Sequence, residues 1–94
     1  MELEEVKARI KEIIGNVAGI DPASIQDGDD VRSDLNLDSL FLVEIGVEVD
    51  FIFRLNLSDE RYREINSVSE MAELVIARSN FLADERSKLL ADSA

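Results

Sequence analysis

The sequence predicts an all-α protein, a small four-helix bundle with a long loop between its first and second helices. Three observations support this class. Apolar residues near the N-terminus recur at spacings of three and four, which is the period of an amphipathic helix. Ser67, with Glu70 three residues later, forms a capping box that opens another helical pattern. The stretch 43–57 alternates like a β-strand, but the sequence offers no second strand to pair with it.

The composition of the chain disfavours several classes of partner and of catalytic site. The 94 residues suffice for one small domain with a single core. Twenty-one acidic and ten basic residues give a net charge of −11, which disfavours nucleic acid and anionic membranes as partners and favours a basic protein surface. Plain solubility is the alternative reason for such a charge. Without cysteine or histidine, the chain has no disulfide, no cysteine nucleophile, no histidine base and no usual zinc site, so we expect no catalytic residues.

The N-terminal segment is charged and amphipathic, and no apolar run is long enough to cross a bilayer. We therefore expect a cytoplasmic protein with no membrane partner. The first helix is predicted near residues 2–17, where one stripe recurs at helical spacing. That stripe comprises Leu3, Val6, Ile10, Ile13 and Val17.

The connection over residues 18–37 is unusually long for a small domain. Asp21 and Pro22 predict a local turn or the start of a one-turn helix. Four acidic residues also crowd into it, namely Asp27, Asp29, Asp30 and Asp34. A solvated acidic loop and a weak divalent-cation site are both open as interpretations. The pattern lacks the closing glutamate of a calcium loop, so no metal ligand is assigned.

The alternating stretch is best explained as a helix near residues 38–54, with Asp38 as its N-cap. A strand over 43–57 would be ~50 Å long at ~3.3 Å per residue, which is too long for this domain. At the helical period the apolar residues instead form two stripes about half a turn apart, and their interleaving resembles alternation. The predicted core stripe comprises Leu42, Ile45, Gly46, Val49, Ile52 and Phe53.

The second stripe is predicted to be a docking surface, because an exposed apolar stripe edged with charge is typical of one. We call it the outer face; its predicted partner-binding residues are Leu40, Val43, Glu44, Val47, Asp50 and Phe51. Two alternatives stay open: the C-terminal segment covers this face as a lid, or a second copy of the chain does.

Two further helices are predicted near residues 58–65 and 68–79. We expect residues 1–79 to form one domain, and residues 80–94 to form a C-terminal extension, either a continued helix or a flexible tail. The predicted core comprises Val6, Ile10, Ile13, Leu42, Ile45, Val49, Phe53, Ile65, Val68, Met71 and Val75.

The sequence Asp-Leu-Asn-Leu-Asp-Ser-Leu at residues 34–40 resembles the attachment motif Asp-Leu-Gly-x-Asp-Ser-Leu of the acyl carrier protein family. The resemblance extends from about Leu3 to Ile76 in the order of the elements. It implies a right-handed four-helix bundle that carries phosphopantetheine covalently on Ser39, with Asp38 and Leu40 completing the motif. A separate phosphopantetheinyl transferase would install the group, whose thiol would then hold acyl, aminoacyl or polyketide intermediates as thioesters.

Helix geometry agrees with attachment at Ser39, because a phosphodiester in the first turn would lie near unpaired backbone N–H groups. The chain departs from the family pattern at Asn36, which replaces glycine, and at the bulky Phe41. Phe51 and Arg54 also lie where carriers of fatty acid synthesis are usually more acidic. These differences predict a carrier of a dedicated pathway, with an acyl- or aminoacyl-loading enzyme and a synthase or transferase as partners. We also expect the carrier to be a monomer. The rival hypothesis is an unmodified acidic adaptor that binds a partner through the outer face.

Overall fold

Three α-helices and one short 3-10 turn form the described part of the chain. The structure is a computed structural model, and it describes residues 2–35, 37–57, 61 and 65–92. Helix α1 spans Leu3–Ala18, α2 spans Ser39–Phe53 and α3 spans Val68–Asp92, with the 3-10 turn at Pro22–Ser24. Helix α1 packs against both α2 and α3. These elements confirm the predicted all-α class.

No β-strand occurs in the ranges just given; one isolated antiparallel bridge joins Asp30 to Ser67. Within the same ranges, no helix has the length and apolar character needed to cross a membrane.

Helix α1 places the middle of its apolar stripe in the core, whereas Leu3 is exposed and Val17 is half-buried, and the helix ends at a glycine. Val6, Ile10 and Ile13 are buried as predicted, and Ile14 on the flank of the stripe is buried too. Gly19 adopts the left-handed conformation, with φ of 72°, and its N–H closes the helix on the Gly15 carbonyl. Gly15 is required by a close approach, because a Cβ there would lie 2.6 Å from the Ile20 carbonyl oxygen.

The acidic residues of the long connection hold its own backbone. Asp30 accepts hydrogen bonds from the N–H groups of Arg32 and Ser33, and Asp34 accepts one from the N–H of Asp30. Asp29 likewise accepts from the N–H of Gln26. These bonds shape the turns of the connection, which contributes three buried side chains to the core, those of Ile25, Val31 and Leu37.

Asp27 ties the connection to α1 and α3. Its carboxylate oxygens lie 3.2 Å from Lys7 Nζ and 2.6 Å from Lys11 Nζ, and both lysines belong to α1. Its carbonyl accepts a hydrogen bond from the N–H of Ser69 in α3. The connection is therefore clamped between two helices at this residue.

Helix α2 confirms the helical explanation of the alternating stretch. Leu42, Ile45, Gly46 and Val49 are buried on its inner side. Ile52 and Phe53 are only half-buried, so the prediction of Phe53 as a core residue was wrong. The reason is position, because Phe53 is the last residue of α2 and its side chain packs at the edge of the core. The other predicted core residues are all buried.

The chain turns sharply after α2. Arg54 and Asn56 both have positive φ angles, 55° and 52°, and the Leu55 side chain between them is fully buried. Two side chains hold this turn: Asp50 accepts a hydrogen bond from the N–H of Leu57, and Arg78 donates to the carbonyls of Leu55 and Asn56.

The predicted helix near residues 58–65 falls mainly outside the described residues. Helix α3 begins at the predicted capping box, where Ser67 Oγ accepts from the Glu70 N–H and the Glu70 carboxylate accepts from the Asn66 N–H. The helix continues without a break past residue 79 to Asp92, which corresponds to the continued helix that the sequence left open for the extension.

As far as Asp92, the extension of α3 leaves Val47 and Phe51 of the outer face uncovered, in contrast to the lid considered from the sequence. The Arg78 guanidinium carbon lies 5.1 Å from the centroid of the Phe81 ring, so Phe81 packs against the residue that holds the turn after α2. Leu89 and Leu90 are exposed, and so are the outer-face residues Val47 and Phe51.

Candidate functional site

The candidate site begins at the N-terminus of α2. Asp38 is the N-cap, with extended backbone, and its carboxylate Oδ1 accepts hydrogen bonds from the N–H groups of Leu40 at 3.0 Å and Phe41 at 3.1 Å. Ser39 is the first residue of the helix and is exposed. The cap therefore fixes the start of α2 and leaves the Ser39 hydroxyl at the surface, where a separate enzyme can reach it.

The first turn of α2 differs from the sequence-based expectation in one respect. The predicted anion site relied on unpaired N–H groups, but those of Leu40 and Phe41 already donate to Asp38. The N–H of Leu42 donates to the Asp38 carbonyl. The Asp38 carboxylate thus occupies the positive end of the helix, so the N–H groups of Leu40 and Phe41 are already engaged when an anion is attached to Ser39.

A surface depression of about 340 Å³ opens beside Ser39, and it is lined by Arg32, Ser39, Leu42 and Val43. Arg32 was not singled out from the sequence. Its Nη1 donates to Asn66 Oδ1 at 2.9 Å, which ties it to the segment leading into α3. The sequence feature that could have identified Arg32 is its position as the single basic residue in the acidic stretch 27–34. That Arg32 lies near Ser39 depends on the tertiary fold and is not visible in the sequence.

The outer face of α2 is apolar and exposed over most of its length. The exposed fractions are 67% for Leu40, 54% for Val47 and 79% for Phe51. Glu44 is exposed beside them, whereas Val43 is half-buried. The face extends along the helix from the residue next to Ser39, as the sequence predicted.

Asp50 has a different environment from the rest of the outer face. It is half-buried, and its Oδ1 accepts the Leu57 N–H at 2.8 Å. This carboxylate supports the turn after α2, so its structural role is visible in addition to the predicted docking role.

The acidic connection gives no support to a metal centre. No group of three or more histidine, cysteine, aspartate or glutamate side chains is placed to hold a metal ion in the part of the chain that the structure describes. Asp30 is engaged by backbone N–H groups, those of Ser33 and then Arg32, which lower its pKa below the ordinary value of 3.8. Such bonds use the carboxylate oxygens that a cation would need.

Comparison with known proteins identifies relatives over most of the chain. The family described as the phosphopantetheine attachment site matches residues 8–75. The acyl carrier protein of Coprothermobacter proteolyticus is 31% identical over 75 residues, covering 80% of this chain and 92% of that protein. The acyl carrier protein of Rubrobacter xylanophilus is 33% identical over 76 residues, covering 81% and 94%.

A solved structure agrees with these sequence relatives. The acyl carrier protein from Enterococcus faecalis, described for structural components that contribute to its high thermal stability, superimposes with a TM-score of 0.67. It is 28% identical, and the match covers 83% of this chain and 99% of that one. The sequence relatives and the solved structure are therefore all acyl carrier proteins, and each match covers about 80% of this chain or more.

Proposed function

The chain belongs to the acyl carrier protein family, whose cofactor is phosphopantetheine, and from that premise we propose that Ser39 is the attachment residue. The observation that carries the proposal is the exposed hydroxyl in the first turn of α2, directly after the capping Asp38. Ser39 also lies inside the matched segment 8–75. The protein has an acyl carrier role and is not an enzyme.

The residues around Ser39 fit this assignment. Asp38 holds the first turn of α2 in place, so the Ser39 hydroxyl projects from a fixed helix end. In the loading reaction the Ser39 oxygen forms a bond to the β-phosphorus of coenzyme A. The bond between that phosphorus and the oxygen of the nucleotide breaks, and adenosine 3′,5′-bisphosphate leaves. The hydroxyl proton of Ser39 passes to the transferase. When bound, phosphopantetheine supplies a terminal thiol that forms thioesters.

Ser39 requires no activating side chain from its own chain, because the transferase supplies the chemistry. Catalysis by a separate transferase agrees with a carrier sequence that contains no histidine and no cysteine. The contribution of the carrier is then to present one hydroxyl and one docking surface.

The outer face of α2 is the proposed docking surface for the transferase and for the biosynthetic enzymes that load and use the carrier. Leu40, Val47 and Phe51 provide exposed apolar area, and Glu44 provides charge beside them. Because the face starts next to Ser39, a partner bound there would have its active site close to the attachment point. Val43 and Asp50, both half-buried, would lie at its edge.

The cargo proposed from these features is an acyl, aminoacyl or polyketide intermediate of a dedicated pathway. Phe51 is 79% exposed on the outer face, so apolar contact should contribute more to docking than in an acid-rich carrier. Partner enzymes of such a pathway would present an apolar groove with basic residues around it, in keeping with the net charge of −11.

Intact-mass spectrometry tests the attachment. The purified chain is incubated with coenzyme A and a broad-specificity phosphopantetheinyl transferase, alongside Ser39→Ala and Ser33→Ala variants. Ser33 is a suitable control because it is another exposed serine, six positions earlier in the chain. We expect one added phosphopantetheinyl group on the wild type and on Ser33→Ala, and none on Ser39→Ala. A wild type that stays unmodified with several transferases would favour the adaptor hypothesis instead.

A further inference from the structure

Attachment at Ser39 creates an electrostatic problem at the start of α2. The phosphodiester adds negative charge next to Asp38, in a chain whose net charge is already −11. A helix N-terminus would ordinarily stabilise such an anion through its free N–H groups. Here the N–H groups of Leu40 and Phe41 donate to the Asp38 carboxylate instead. A further donor, preferably a cation, would offset this charge.

Arg32 is placed to be that donor. Among the described residues it is the cation that lines the depression shared with Ser39. The rest of the lining is apolar, from Leu42 and Val43. Arg32 is itself exposed, so its attraction for an adjacent phosphate would come from short charge-assisted hydrogen bonds.

Arg32 is held in this position by a chain of hydrogen bonds. Its Nη1 donates to Asn66 Oδ1 at 2.9 Å. Asn66 is itself fixed, because its carbonyl accepts the Val31 N–H and its own N–H donates to the carboxylate of Glu70 in α3. These bonds tie Arg32, which lines the depression, to the segment that leads into α3.

We propose that Arg32 is a positioning residue that binds the phosphodiester attached to Ser39, an inference that rests on the proposed attachment. By holding the phosphate, Arg32 directs the first part of the prosthetic arm over Leu42 and Val43 and restricts its motion. The cation also offsets the repulsion between the phosphate and the Asp38 carboxylate.

Phosphorus NMR of the loaded carrier tests this role directly. The ³¹P signal of the phosphodiester is compared among the wild type, Arg32→Ala, Arg32→Lys and Arg9→Ala, after mass spectrometry has confirmed loading of each. Arg9 is the matched control because it lies beside the other end of α2 and pairs with Glu12. We expect a shifted and narrower signal for Arg32→Ala, an intermediate signal for Arg32→Lys, and no change for Arg9→Ala.

A second measurement tests whether Arg32 binds the phosphodiester, even if Arg32→Ala disturbs the connection over residues 18–37. The Nε–Hε signal of Arg32 in the wild type should shift when the unloaded carrier is converted to the loaded one, and the Arg9 signal should not. Asn66→Ala keeps the guanidinium but removes its anchor, so its ³¹P signal should shift part of the way toward that of Arg32→Ala.

The outcomes separate the two proposals. A wild type that gains no mass refutes attachment at Ser39. Loading of all variants with an unchanged ³¹P signal in Arg32→Ala and an unchanged Arg32 Nε–Hε signal refutes the phosphate-binding role while leaving the attachment intact.

Discussion

The substitution Val47→Asp tests the docking surface with an internal control two residues away. Val47 is 54% exposed on the outer face, whereas Val49 on the same helix is completely buried. Val47→Asp should leave the fold intact, because exposed substitutions of this kind change the free energy of unfolding by about 0.5 kcal/mol or less. Val49→Asp should instead unfold the domain, since it buries an unpaired carboxylate.

The expected loss of affinity follows from the exposed area of Val47. Full burial of a valine side chain is worth about 1.5–3 kcal/mol, so covering its exposed half contributes about 1 kcal/mol to docking. The introduced carboxylate must also lose water in the interface, which adds at least about 1 kcal/mol. Together these effects predict a loss of about 2 kcal/mol, equivalent to roughly thirtyfold in affinity.

The assay is the loading of the carrier by its transferase, with the apparent KM for the carrier as the measured quantity. We expect KM to rise by roughly thirtyfold for Val47→Asp, while kcat at saturation and the far-ultraviolet circular dichroism stay close to wild type. A folded Val47→Asp variant with an unchanged KM would refute the docking role of the outer face for this enzyme. An unfolded variant would show that Val47 is a structural residue despite its exposure.

Three further predictions concern stability. Gly15→Ala should lower the free energy of unfolding by about 1–3 kcal/mol in urea denaturation, because the new Cβ collides with the Ile20 carbonyl; an unchanged midpoint would contradict this close approach. Phe53→Ala should cost about 2 kcal/mol, below the 3–5 kcal/mol typical of a fully buried phenylalanine, since the side chain is half-buried; a loss above about 4 kcal/mol would place it in the core. Hydrogen bonds from Lys11 and Lys7 hold the pKa of Asp27 below its ordinary value of 3.8. The ion pairs of Asp27 therefore stabilise the fold above that value, and this stabilisation is lost as pH falls through the lowered pKa. Below about pH 4, the thermal unfolding temperature of the wild type should fall more steeply with decreasing pH than that of Asp27→Asn. If the unfolding temperatures of the two proteins change with pH in parallel, Asp27 does not contribute to the loss of stability in acid.

The sequence predicted the helices well where local patterns decide them. The two stripes of α2 explain the apparent alternation over residues 43–57, and the buried Leu42, Ile45 and Val49 confirm the helical period. The capping box at Ser67 and Glu70 also predicted the start of α3 correctly. In each case the relevant interactions lie within a few residues along the chain, so their periodicity is visible without the fold.

Features that depend on distant contacts were missed or misplaced. Leu55 is fully buried because the chain turns inward between two left-handed residues, Arg54 and Asn56, and neither is a glycine that would signal such a turn. Asp50 was assigned to docking alone, but its bond to the Leu57 N–H supports that turn. The position of Arg32 beside Ser39 likewise depends on its contact with Asn66, which is 34 residues away in the chain.

Tandem mass spectrometry of the loaded chain shows directly whether Ser39 carries the prosthetic group. Electron-transfer fragmentation preserves the phosphodiester and separates Ser39 from the other serines of the chain. We expect the added phosphopantetheinyl mass in every N-terminal fragment that includes Ser39 and in no shorter one. An added mass that first appears at a different residue, or a chain that gains no mass, would contradict it.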